Sequence, residues 1–121
     1  MIKGLGNDLV EIGRIRLSIQ RYGHHFLNRL FTSEEQDHCL RYSDSALHFA
    51  GRFAAKEAVV KALGVGFGSE AKWHDIALHA NVKGKPIVIL SKALEARFNS
   101  PSLLVSITHT AEYASAIAIW L

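Results

Sequence analysis

The 121-residue chain is 49% apolar, carries a formal charge of +3 and has one cysteine, Cys39. A core of that size suits one domain over residues 1–121, and a lone thiol excludes an internal disulfide or a thiolate-built zinc site and suits a reducing cytoplasm. No apolar stretch approaches the roughly eighteen residues of a membrane span, no basic leader with an apolar run opens the chain, and neither an RNP-like aromatic motif nor zinc-finger spacing points to nucleic acid, so a soluble cytoplasmic protein is expected.

Ile2 to Ile12 alternates imperfectly and contains Gly4 and Gly6, which predicts a strand approached closely by another backbone or by a ligand. Asp8 shares a face with Gly4, Gly6 and Val10. It either caps the strand end or lies beside a hole that a cation and its ligand would fill. Arg14 to Leu30 has apolar residues near helical spacing, interrupted at Gly23-His24-His25, and predicts one broken helix or two short ones. The arginines crowded into the first third, Arg14, Arg16, Arg21, Arg29 and Arg41, hint at an acidic partner. Thr32-Ser33-Glu34-Glu35 spells a capping box that opens a helix through about Tyr42, which gives Glu35 a structural role.

Ser43-Asp44-Ser45 offers the next N-cap, and the segment that follows organises the chain. Arg52 to Leu63 is rich in helix formers and runs into Gly64-Val65-Gly66-Phe67-Gly68, a helix ending in a flexible loop. Ala50, Phe53, Ala54, Glu57, Val60 and Lys61 fall on one stripe, so Glu57 shares the face expected to bury. Two readings stay open for it. Glu57 pairs with Lys61 one turn on, or it holds a divalent cation while Lys61 neutralises a phosphate that the loop amides also approach. The negative end of the helix dipole disfavours an anion there, so any phosphate must be held by Lys61, Arg52 or Lys56, by loop amides and by a metal.

Trp73 to His79 and Pro86 to Leu90 read as strands of a hairpin around Asn81-Val82-Lys83-Gly84-Lys85. Ser91 to Phe98 is a short amphipathic helix that stops before Pro101, Leu103 to Thr108 a buried strand, and Tyr113 to Leu121 a central antiparallel strand. Of the seven histidines, most are expected on the surface. His109, between Thr108 and Thr110 at the end of an apolar strand, either donates to an anion or makes a structural hydrogen bond.

Four blocks taken together resemble one family. Gly4-Leu5-Gly6-Asn7-Asp8-Leu9-Val10-Glu11 with Arg14, Phe31-Thr32-Ser33-Glu34-Glu35, Gly51-Arg52-Phe53-Ala54-Ala55-Lys56-Glu57-Ala58 through Lys61-Ala62-Leu63-Gly64, and Ser106-Ile107-Thr108-His109-Thr110 resemble the short class of 4′-phosphopantetheinyl transferases, the holo-acyl-carrier-protein synthases. The resemblance implies an α+β fold, with an antiparallel sheet against a long central helix and shorter helices. It implies transfer of 4′-phosphopantetheine from coenzyme A to a serine of apo acyl carrier protein in fatty acid biosynthesis, with release of adenosine 3′,5′-bisphosphate. Mg²⁺ is the implied cofactor and a homotrimer with active sites between subunits the implied assembly. Carried across by position, Asp8 and Glu57 become the metal ligands and, with Lys61, the catalytic set. Lys61 and Gly64 meet the pyrophosphate, Arg52, His109 and Thr110 the adenosine end and its 3′-phosphate, and Arg14 and Arg21 the carrier protein. Asn7 is polar where the family pattern is apolar. Glu57, or a water on the metal, would take the serine proton.

Two other classes compete with this reading. A non-catalytic module would bind coenzyme A or a nucleotide on the same surface without turnover. A small Mg²⁺-dependent phosphohydrolase would use two acids and a lysine but would not need a protein-facing arginine cluster.

Overall fold

The computed structural model describes residues 1–121. Strand β1 (Gly4–Glu11) leads directly into α1 (Ile12–Tyr22), α2 (His24–Leu30), α3 (Ser33–Leu40) and the long α4 (Ser45–Leu63). A single turn at Trp73–Asp75 then precedes β2 (Ile76–Ala80), β3 (Pro86–Leu90), α5 (Lys92–Arg97), β4 (Leu103–His109) and β5 (Tyr113–Trp120). The fold is α+β: a three-stranded antiparallel sheet in the order β1-β5-β4 and a separate β2-β3 hairpin, both lying against α4. No helix is long and apolar enough to cross a membrane.

Small residues let α4 lie close on the sheet. On β5 the inward positions are Ala114, Ala116 and Ala118, all at most 1% exposed. On β1 a Cβ added to Gly6 would fall on the carbonyl oxygen of Ala58, and one on Gly4 on that of Ala62. The close approach expected at those glycines is therefore made by another backbone, that of α4. The helix itself is buried nearly all round. Ala54, Ala55, Ala58, Val59 and Val60 pack into one core with β2, β4 and β5, while Ala46, Phe49 and Ala50 pack into a second with α1, α2 and α3.

The expected stripe on α4 is correspondingly wrong in detail. Lys56 is fully buried, Glu57 is half-buried and Lys61 is exposed. Lys56 Nζ donates to Glu35 Oε1 at 2.8 Å and to the Trp73 carbonyl at 3.1 Å, so it is not available to a phosphate. Glu35 completes the expected capping box with Thr32 and also accepts the Leu78 amide at 2.9 Å, which ties α3, α4 and β2 through one carboxylate. Its partners satisfy both oxygens, the condition under which a buried ion pair is tolerated.

Two smaller expectations also change. Trp73–Asp75 forms a tight turn and not the start of a strand. Strand β4 is an outer strand with Leu104 and Ser106 exposed, because it pairs only with β5 in its sheet. The glycine loop after α4 is tied to the following turn, with Phe67 stacked on Trp73 at 3.8 Å and Phe53 on the same indole at 5.1 Å. The break predicted at Gly23 is real, since Gly23 takes φ +53 between α1 and α2.

Candidate active site

Asp8 stands on β1 two residues beyond Gly6, where the glycine contact brings strand and helix together. Lys61, on the facing side of α4, donates to Asp8 Oδ1 at 3.2 Å and to the Asn7 carbonyl at 3.0 Å. The pair is half open to solvent, with side chains 17% exposed for Asp8 and 52% for Lys61. Glu57, one turn earlier on α4, is held above the usual carboxyl range, first by burial and then by the negative charge of Asp8, against the opposing charge of Lys61. Two acids from distant parts of the chain are thus near enough to feel each other's charge, and Lys61 bonds to one of them.

That donor set fits a hard divalent cation. Two carboxylates on a solvent-open surface offer oxygen ligands and leave positions for water and phosphate, which is how Mg²⁺ is usually held. No group of three or more His, Cys, Asp or Glu side chains is placed to hold a metal ion by itself. Gly64 ends α4 in the left-handed conformation, φ 76 and ψ 25, with its amide on the Lys61 carbonyl at 3.1 Å and the Val65 amide on the Val60 carbonyl at 3.0 Å. Glycine tolerates that conformation without a Cβ penalty.

Arg52 and His109 come together at a second place. Both line a cavity of about 290 Å³ with His38, Tyr42, His48 and His79. Arg52 is only 9% exposed, forms no ion pair, and its Nε is buried without a hydrogen-bond partner. A buried guanidinium in that condition fits an anion. Thr110 lies beside this cavity's His109, but its hydroxyl accepts the Glu112 and Tyr113 amides at 3.3 and 3.1 Å and so also builds the β4–β5 turn. Arg52 precedes Lys61 by about two and a half helical turns, which places them on opposite sides of α4 and about 13 Å apart along its axis. Within one chain the two clusters face away from each other.

The arginines of α1 divide in use. Arg16 grips Asp44 through two contacts of 2.7 and 3.3 Å and so joins α1 to the start of α4, which leaves that N-cap without a side-chain hydrogen bond. Arg14 has an 81% exposed side chain with only a 3.9 Å approach to Glu11, and Arg21 is exposed in the last turn. The sequence reading missed His48, whose ring stacks on Tyr42 at 3.7 Å, and the burial of Lys56. Spacing did carry one signal for His48, because it stands one helical turn before Arg52.

Residues 4–118 match the model of the 4′-phosphopantetheinyl transferase superfamily. The chain belongs to that superfamily. Its relatives within it are holo-[acyl-carrier-protein] synthases: the one from Protochlamydia amoebophila is 52% identical over 99% of this chain and 98% of its own. The Helicobacter pylori holo-[acyl-carrier-protein] synthase, solved in complex with coenzyme A, superposes with a TM-score of 0.89 at 37% identity and covers 97% of this chain and 99% of that one. The Bacillus anthracis synthase, solved with coenzyme A (3′,5′-ADP), gives a TM-score of 0.84 at 34% identity over 99% and 96% of the two chains.

Proposed function

We propose that this protein is a Mg²⁺-dependent enzyme that transfers 4′-phosphopantetheine from coenzyme A to a serine hydroxyl of apo acyl carrier protein, releasing adenosine 3′,5′-bisphosphate, and that it serves fatty acid biosynthesis in the cytoplasm as a single domain over residues 1–121. The observation that carries the reading is Lys61 on Asp8 Oδ1, with the charge of Asp8 felt at Glu57 on the helix that Gly6 touches. Asp8 and Glu57 would hold Mg²⁺, which when bound would neutralise charge on the diphosphate oxygens. Lys61 leaves Asp8 for the bridging oxygen and stabilises the negative charge that grows there as the serine oxygen attacks phosphorus. Gly64, free of a Cβ, lets the loop backbone approach the same diphosphate. Glu57, or a water on the metal, accepts the proton leaving the serine.

Arg52, His109 and Thr110 receive the adenosine end and its 3′-phosphate. They lie on the far side of α4 from Lys61, so one coenzyme A meets both clusters only if the second comes from another copy of the chain. That favours the homotrimer with active sites between subunits. The outer face of the sheet supports the same assembly, because Leu5, Leu9, Leu104 and Ile117 are 46–67% exposed on it. Arg14 and Arg21, which no internal partner neutralises tightly, suit the acidic surface of a carrier protein.

The deciding experiment incubates the protein with coenzyme A, Mg²⁺ and apo acyl carrier protein and weighs the carrier. A gain of the phosphopantetheine mass that disappears on chelation supports the proposal. An unchanged carrier with coenzyme A bound would indicate a binding module, and free phosphate a phosphohydrolase.

A further inference from the structure

The cavity around Arg52 contains more chemistry than one guanidinium. His38, Tyr42, His48 and His109 follow one another along its wall, with ring centroids 5.7 Å apart for His38 and Tyr42, 3.7 Å for Tyr42 and His48, and 6.4 Å for His48 and His109. The Tyr42 ring lies only 21° from parallel to that of His48, which fixes the imidazole plane. His48 also stands one turn before Arg52 on α4, so the two present to the same side of the helix.

A phosphate monoester near neutral pH carries close to two negative charges, since its second pKa is about 6. Arg52 supplies one positive charge, and its Nε has no partner. We infer that His48 is a further binding residue for the 3′-phosphate of coenzyme A, taking up a proton from solvent as the phosphate enters and so supplying a positive charge that Arg52 alone lacks. This rests on the placement of the 3′-phosphate proposed above and adds to it a recognition residue that works by protonation.

The surroundings favour such a response. Burial and the charge of Arg52 hold both His48 and His38 below the ordinary imidazole range, with His109 contributing at His48 and Arg41 at His38. Of the charged groups near His48, Asp44 is the one that opposes this, and Asp44 is itself engaged by Arg16. His79, on the β2 side, is turned toward Glu34 at 3.4 Å. Neutral histidines beside an anion-seeking arginine are poised to charge once a dianion cancels the field that keeps them neutral.

Calorimetry on the full chain tests this with adenosine 3′,5′-bisphosphate and adenosine 5′-monophosphate, each at pH 7.5 in two buffers of different ionisation heat. The bisphosphate should bind more tightly and draw in a fraction of a proton, whereas the monophosphate should draw in none. His48→Phe keeps a ring against Tyr42 and should lose the uptake, bind the bisphosphate several-fold more weakly, and flatten its pH dependence between 6 and 8. In the wild-type protein, the His48 ring signals followed by NMR should titrate at higher pH with bisphosphate bound. A bisphosphate preference without proton uptake, uptake unchanged in His48→Phe, or a His48 titration unmoved by ligand would overturn the inference and leave the subsite standing. Equal affinity for the two nucleotides would overturn the placement of the 3′-phosphate, and the inference with it.

Discussion

Lys56 and Glu57 are neighbours on one helix, and their surroundings differ in almost every respect. Lys56 is sealed in the core with Glu35, whose two oxygens meet an ammonium, the Thr32 amide and the Leu78 amide. Glu57 is half-buried under the negative charge of Asp8, and the one nearby cation, the partly exposed Lys61, is bonded to Asp8. The first arrangement is electrostatically complete and holds elements together. The second has an excess of negative charge that the chain does not resolve internally, as expected of a place built to receive a cation and a phosphate.

The largest effect should come from breaking the closed pair. Lys56→Ala leaves the Glu35 carboxylate buried without its counter-charge and should cost about 3–5 kcal/mol in urea unfolding. At the open cluster the balance reverses. Asp8→Ala or Glu57→Ala should reduce transfer by about 10²–10³-fold or more, as loss of a key electrostatic stabiliser does, while the thermal midpoint stays within a few degrees; wild-type-like transfer by either purified variant would remove it from the metal site. Gly6→Ala tests whether the glycine contact joins the two regions. Its methyl would meet the Ala58 carbonyl, so a loss of about 1–3 kcal/mol is expected together with reduced Mg²⁺ affinity, as β1 is pushed away from α4. Arg14→Ala should raise KM for the carrier protein a few-fold with little change for coenzyme A, and equal shifts in both would contradict the partner assignment.

The smallest effect is a pH dependence of the ligand-free protein. His38 and His48 have folded pKa values lowered by burial and by Arg52, so below their ordinary pKa the unfolded chain binds more protons than the folded one. Stability from these groups is present above about pH 6.5 and is lost as pH falls through the lowered values. Thermal midpoints should therefore drop on acidification, and less so in His48→Phe.

Local chemistry made much of this visible in the sequence. The capping box at Thr32 and Glu35, the break at Gly23, the helix end at Gly64 and the turn of the β2–β3 hairpin are decided within a few residues of chain, and each stands where spacing put it. What failed depends on distance. The Glu35 to Lys56 pair joins residues 21 apart, and no local pattern distinguishes Lys56 from the solvated lysine that helical spacing would place there. The periodicity of α4 misled because small residues on the sheet allow a helix to bury almost its whole circumference, and a stripe rule presumes one wet side. Asp8 and Glu57 were singled out by residue type and resemblance, but their meeting is a matter of fold. The ring of histidines at Arg52 was missed because it is assembled from α3, α4, β2 and β4.

The main-chain contact of Gly4 and Gly6 with α4 has one more consequence. Because peptide groups, and not interlocking side chains, fix the gap between β1 and α4, the separation of the two acids is insulated from the identity of the surrounding apolar residues. Substitutions elsewhere in the interior can accumulate and shift side chains without altering that spacing, so this part of the molecule works as a rigid gauge for its reactive groups.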